Sequence, residues 1–156
     1  MKLTYRDWLE TVPEEITGDS LWRMEAYRLS LFLGDIAWPD VTTLSADART
    51  HILSDQLYRA VGSLAANLSE GYSRSSGRDR TRFYEYALGS AREARGWYYE
   101  GRHLLSAEVV AHRLKLLTEI IRLLLTMVPN NRALNLREEA AEYRADMVDL
   151  AEPVPL

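Results

Sequence analysis

Apolar positions along this chain recur with the period of a helix almost from end to end. Leu53, Leu57, Val61, Leu64 and Leu68 follow one another at spacings of three and four, the core stripe of an amphipathic helix. Period-two alternation never holds for long, so no strand is predicted. Punctuating residues divide the pattern into long helices. Asp19 or Ser20 caps a first helix over Leu21–Trp38, which Pro39 closes because it has no N–H to continue it. Asp40–Ala46 then reads as a loop. A second helix covers Asp47–Glu70 and ends at Gly71. The polar run Ser73–Gly77 forms a turn whose serines cap a third helix, Arg78–Leu105. Ser106 caps the last, Ala107–Val128, which Pro129 stops. Short helices are also predicted at Tyr5–Val12, anchored by Trp8 and Leu9, and at Leu136–Leu150. Short connections make neighbouring helices antiparallel. The predicted fold is therefore all-α, an antiparallel up-down-up-down four-helix bundle over residues 19–129. An acidic arm (1–18) precedes it and an acidic tail (130–156) follows it.

The helix faces sharpen this picture. Opposite its core stripe, the second helix carries Arg59, Ser63, Asn67, Glu70 and Arg74, within an arc of roughly 80° at about 100° per residue. Serine and asparagine are poor residues for an exposed helix interior, so their presence points to a close contact or a hydrogen-bonded network, weighed evenly against a plain solvated face. The third helix turns Phe83, Ala87, Ser90, Ala94, Trp97, Gly101 and Leu105 inward. Gly89, Gly96 and Gly101 each cost about 1 kcal/mol of helix propensity relative to alanine, and close helix approach is the expected reason. A turn centred near Ser75 sets Asn67 opposite Phe83 and Arg59 opposite Glu93, so a partly buried Arg59–Glu93 pair is expected. The fourth helix confines His112, Lys115, Glu119, Arg122 and Thr126 to one narrow stripe. Apart from Glu108, Arg113 and Thr118, its other large residues are apolar and sweep roughly 200°, against the ~100° a surface helix needs. That excess predicts burial against another subunit or a terminal segment, and a homo-oligomer is the favoured reading.

Composition excludes more than it specifies. A chain of 156 residues suits one domain on the usual ~100–200 residues per domain. With no cysteine there is no disulfide framework, cysteine zinc site, iron–sulfur cluster or thiol nucleophile. The 19 basic and 23 acidic residues give a net charge of −4, which argues against a whole-protein grip on nucleic acid. The charge is unevenly placed: residues 1–20 and 130–156 each carry −3, and residues 21–129 carry +2. Of the basic residues 17 are arginine, suited to bidentate phosphate contacts, although a GC-rich genome produces the same bias. Residues 1–10 contain no apolar core of a signal peptide. The most apolar stretch, Leu114–Val128, is interrupted by Lys115, Glu119 and Arg122 and is too short to cross a bilayer. A cytoplasmic protein without membrane contact is expected.

Catalytic constellations are missing. A di-metal carboxylate bundle needs two Glu-x-x-His motifs, and only Glu100-Gly101-Arg102-His103 is present. His51, His103 and His112 have no ligand spacing, and no phosphate loop, dinucleotide fingerprint or nucleophile elbow occurs. No enzyme activity and no cofactor or metal are expected. The local feature that suggests a partner is the turn between the second and third helices. Arg74, Arg78, Arg80 and Arg82 cluster there beside Tyr72, Phe83, Tyr84 and Tyr86, with Asp79 as the opposing charge. Arginines bind phosphates and aromatic rings stack on unpaired bases, so these residues are the candidate nucleic-acid-binding set. The alternative is that the aromatics are core and the arginines keep a turn solvated.

The run from Asp55 to Arg74, DQLYRAVGSLAANLSEGYSR, with the linked block Phe83–Ala87 and Gly89-Ser90 to Glu93, resembles the signature of the four-helix-bundle family encoded by intervening sequences of bacterial 23S rRNA genes. The likeness covers about Leu21–Val128. Leu68-Ser69 stands where that family usually has Ile-Ala, and Tyr84 and Tyr86 where aliphatics are common. The resemblance implies a homopentamer of four-helix bundles without known enzymatic activity, and marks Arg59, Ser63, Asn67, Glu70, Gly71, Ser90 and Glu93 as signature positions. The chain is similar also to accessory proteins of diversity-generating retroelements, pentameric bundles that bind a reverse transcriptase and nucleic acid. The reading that emerges is a non-enzymatic homo-oligomeric interaction module for RNA or a ribonucleoprotein partner such as a reverse transcriptase. The alternative is a protein-only scaffold.

Overall fold

A computed structural model describes residues 4–128 and Pro155. Every regular element among them is helical. In chain order these are α1 (Tyr5–Leu9), α2 (Glu14–Thr17), a 3-10 turn at Ser20–Arg23, α3 (Glu25–Ser45), α4 (His51–Tyr72), α5 (Gly77–Glu100), a 3-10 turn at Gly101–His103, and α6 (Ala107–Met127). The four long helices pack consecutively on one another, and α3 also packs on α6, enclosing one apolar core. The helix expected over Leu136–Leu150 lies outside the described residues.

Two helix starts form as their caps dictate. The Ser76 hydroxyl accepts from the Asp79 N–H at the head of α5, and Ser106 does the same for Val109 at the head of α6. Asp19 also caps, accepting from the Leu21 N–H, but what it begins is the 3-10 turn, and α3 starts only at Glu25. The short N-terminal helix is present, opened by a Thr4–Asp7 capping box. Trp8 is buried there among Tyr5, Trp22 and Phe32, and its indole N–H reaches the Asp35 carboxylate on α3. These residues therefore pack into the same core as the long helices.

Three expectations are corrected. The first helix does not stop at Pro39, which lies inside α3. A proline within a helix costs about 3 kcal/mol. Here the residues beyond it hold the helix together: Asp40 and Leu44 are buried, and Leu44 lies against the face of Gly101. The buried face of α5 is also rotated from the expected one. Tyr84, Ala87, Leu88, Ala91, Ala94 and Tyr98 form it, while Phe83, Ser90 and Trp97 lie at its margins. Finally, the broad apolar face of α6 is absorbed within this single chain. Val109, Val110, Leu116, Leu117, Ile120, Ile121, Leu124 and Leu125 are buried, and Leu114, Leu123 and Met127 pack half-buried against the core. Lying against both α3 and α5, α6 has two neighbours to cover its ~200° of apolar surface. Among the described residues, large apolar side chains are exposed elsewhere, at Trp38 and Tyr58 on the α3–α4 face and at Ile16, Ile52, Tyr72, Tyr86 and Tyr99.

Candidate nucleic-acid interface

The α4–α5 hairpin positions the arginine turn. Gly71, in the last turn of α4, allows a close approach: a Cβ there would meet the Tyr84 ring at 2.8 Å and the Phe83 Cβ at 3.0 Å. One and two turns further from the loop, the small polar residues make the expected network. Asn67 Nδ2 donates to the Ser63 hydroxyl (3.0 Å) and to the Ser63 carbonyl (2.8 Å). The Ser90 hydroxyl crosses from α5 to Ser63 (3.1 Å) and is also within reach of the Tyr86 carbonyl (3.0 Å). Ser63 against Ser90 and Gly71 against Phe83 and Tyr84 set an antiparallel register in which Asn67 lies one turn away from the position expected opposite Phe83.

The other expected contacts of this hairpin do not form. Arg59 faces Asp55 at 3.9 Å, one turn back on its own helix, with both side chains exposed. Glu93 accepts from the Trp97 indole N–H (3.3 Å). An Arg59–Glu93 pair is therefore absent: each residue lies on the solvent side of its helix and meets a local partner first. Close approach also fails as the reason for two glycines, because a Cβ on Gly89 or Gly96 would meet nothing within 4 Å in this chain. Of the three glycines singled out on the third helix, Gly101 alone has such a neighbour, Leu44 at 3.3 Å.

At the turn itself every candidate arginine is exposed, and three of the four have local partners. Arg74 pairs with Glu70 and lies over the Phe83 ring, 4.8 Å from its centroid. Arg80 donates to the Arg74 carbonyl (3.1 Å) across the loop. Arg82 donates to the Tyr86 hydroxyl (2.6 Å) and stands 5.5 Å from that ring's centroid, and this hydrogen bond raises its pKa further. Arg78 makes no hydrogen bond or ion pair among the described residues. Tyr72 reaches away from the arginines and donates to the Ser20 hydroxyl (2.9 Å). The turn thus presents four exposed arginines, two of them with the guanidinium over an aromatic ring, an arrangement that suits phosphate contact beside stacking surfaces.

Sequence reasoning missed a second arginine site. Arg113 is 0% exposed, on the core row of α6. Its Nε donates to Asp40 Oδ2 (2.8 Å) and its Nη1 to His112 Nδ1 (3.0 Å). Its Nη2 reaches Asp40 Oδ1 (3.3 Å), the Ile36 carbonyl (3.3 Å) and the Pro155 carbonyl (3.0 Å). The Tyr98 hydroxyl donates to Asp40 Oδ2 (2.9 Å). Burial, reinforced by the Asp40 carboxylate, pushes the Tyr98 phenol well above its ordinary pKa, so it stays a donor. Burial and then the adjacent guanidinium lower His112 to about 4, leaving its ring neutral and able to accept. The available signal was position: Arg113 occupies the step between Val109 and Leu116 in an otherwise apolar row.

A third region is an open groove of about 590 Å³ between α3 and α4, with Gly34, Gly62 and Ala65 in its lining and Trp38 and Tyr58 meeting edge-on at 5.7 Å. No cluster of three His, Asp or Glu residues suited to a metal occurs among the described residues, and no described helix is long and apolar enough to cross a membrane.

Fold and sites together define an all-helical domain with an exposed arginine turn and a buried arginine cluster. Residues 24–126 match the family described as 23S rRNA-intervening sequence protein, and the chain belongs to that family. Neither the curated proteins nor the solved structures compared with the chain give a match.

Proposed function

We propose that this protein is a non-enzymatic interaction module, an antiparallel four-helix bundle that assembles as a homopentamer in the cytoplasm and binds RNA or a ribonucleoprotein partner such as a reverse transcriptase. The observation that carries the RNA reading is the exposed set Arg74, Arg78, Arg80 and Arg82, two of them stacked on aromatic rings. Membership of a family named for an intervening sequence of 23S rRNA supports it. The exposed Trp38 and Tyr58 beside the glycines of the α3–α4 groove support self-association, since close backbone approach between copies explains glycines that have open space in one chain. Binding to a structured RNA, measured against salt, tests the reading. Affinity that falls steeply with salt and disappears in a variant with Arg74, Arg78 and Arg82 all changed to alanine is the expected result. No binding at low salt, where electrostatic attraction is strongest, refutes it. Light scattering of the purified chain tests assembly, and a monomer contradicts the pentamer.

The second reading, a protein-only scaffold, is favoured by the apolar α3–α4 face together with the net charge of −4. It predicts pull-down of a protein partner that survives both nuclease treatment and the triple arginine substitution.

A further inference from the structure

The Arg113 cluster has a feature that helix packing alone does not require. Each Nη nitrogen of a guanidinium has two hydrogens. On Nη2 of Arg113 the shortest contact is to the Pro155 carbonyl at 3.0 Å, ahead of Asp40 Oδ1 and the Ile36 carbonyl at 3.3 Å each. That acceptor comes from 42 residues along the chain, and Pro155 is itself buried. Asp40 Oδ1 and the Ile36 carbonyl could take both hydrogens of Nη2, so the Pro155 carbonyl is a third and closer acceptor, brought to the buried guanidinium from outside α3, α5 and α6.

We propose that the Arg113–Asp40–Tyr98 cluster is a docking site for an extended proline-containing segment presenting a backbone carbonyl, and that its ligand is this chain's own stretch around Pro155. Proline suits such a site for two reasons. It brings no backbone N–H that would need a partner once buried, and its fixed φ leaves less conformational freedom to lose on docking. The Pro153-Val154-Pro155 sequence supplies both properties twice. Reach is no obstacle. From Arg113 to Met127, α6 rises about 21 Å at 1.5 Å per residue. The 27 residues from 128 to 154 exceed that span severalfold even when far from fully extended. Tethering also raises the effective concentration of the segment to the millimolar range, so a modest intrinsic affinity fills the site. This inference stands whether or not the arginine turn binds RNA.

Deleting residues 153–156 tests it. In the shortened chain, Tm should fall by about 3–6 °C, the amount expected for one hydrogen bond lost from a buried charged group. The NMR signal of the Arg113 Nε–H should shift. A hexapeptide with the sequence of residues 151–156, added at millimolar concentration, should reverse both changes. The same peptide with alanine for both prolines should bind at least threefold more weakly. The full-length Pro155→Ala variant, which keeps the carbonyl, should leave the Arg113 signal close to its original position. Two results overturn the proposal: a deletion that moves neither Tm nor the Arg113 signal, or changes that the peptide does not reverse. In a chain carrying Arg113→Met with Asp40→Leu, the deletion should cost nothing further, and an equal loss there also overturns it.

Discussion

Arg113 and the arginines of the α4–α5 turn are chemically the same group placed in opposite surroundings. Arg113 is fully buried, and its charge is met by a carboxylate that is only 4% exposed. Around the turn, Arg74 shares its charge with a half-exposed Glu70, Arg82 lies on a tyrosine, and Arg78 is committed to nothing described. A buried ion pair is expensive to break, whereas an exposed one contributes little. The first arginine is thus bound into the fold, while the others keep their charge available to a partner. Arginine content by itself says nothing of this division, which is set by the row of the helix on which each arginine falls.

The sharpest way to break the comparison is to remove one half of the buried pair. Arg113→Ala leaves Asp40 uncompensated in the core and should cost about 3–5 kcal/mol, read from the shift of the urea unfolding midpoint. The double change Arg113→Met with Asp40→Leu should recover most of that loss; if it is no better than the single variant, packing rather than charge pairing governs the site. Next in size is Gly71→Ala. Its Cβ would strike the Tyr84 ring and the Phe83 Cβ, so a loss of about 1–3 kcal/mol is expected. Gly89→Ala and Gly96→Ala meet open space and should gain up to about 1 kcal/mol each in helix propensity. If either disrupts assembly instead, that face is an interface between copies.

The buried cluster should also respond to acid. His112 has a pKa of about 4 in the fold against an ordinary 6.5, so between those values the unfolded chain binds a proton that the folded chain refuses. Its contribution to stability is complete above pH 6.5 and is lost as pH falls toward 4. His112→Gln should flatten the pH dependence of the urea midpoint over that window. The smallest effect on stability belongs to the triple change of Arg74, Arg78 and Arg82 to alanine, which should leave Tm unmoved while removing RNA binding.

Local chemistry was legible in the sequence and tertiary compensation was not. The caps at Ser76 and Ser106 formed as read, because a hydroxyl ahead of free N–H groups acts within four residues. Serine and asparagine in the middle of α4 pointed equally to a close polar network or a solvated face, and Ser63, Asn67 and Ser90 make the network. The helix over Pro39 was missed because its continuation rests on Asp40, whose partner Arg113 lies 73 residues away. The same error hid the buried cluster, since a charge in the apolar row of α6 finds its counter-charge only once Asp40 is known to be helical. The width of the α6 face was visible, but what covers it depends on how α3 and α5 divide that surface.

The Asp40–Arg113–Tyr98 contacts bear on the order in which this chain folds. The α4–α5 hairpin joins neighbouring segments and can close early, at little loop-closure cost. Docking α6 on α5 before α3 arrives would strand a guanidinium in a drying core, and docking α3 first would strand a carboxylate. Each half-assembled state is therefore raised in energy, and the outer helices α3 and α6 should lose their water together in one late cooperative step. Substitutions at Asp40 or Arg113 should then speed unfolding more than they slow folding.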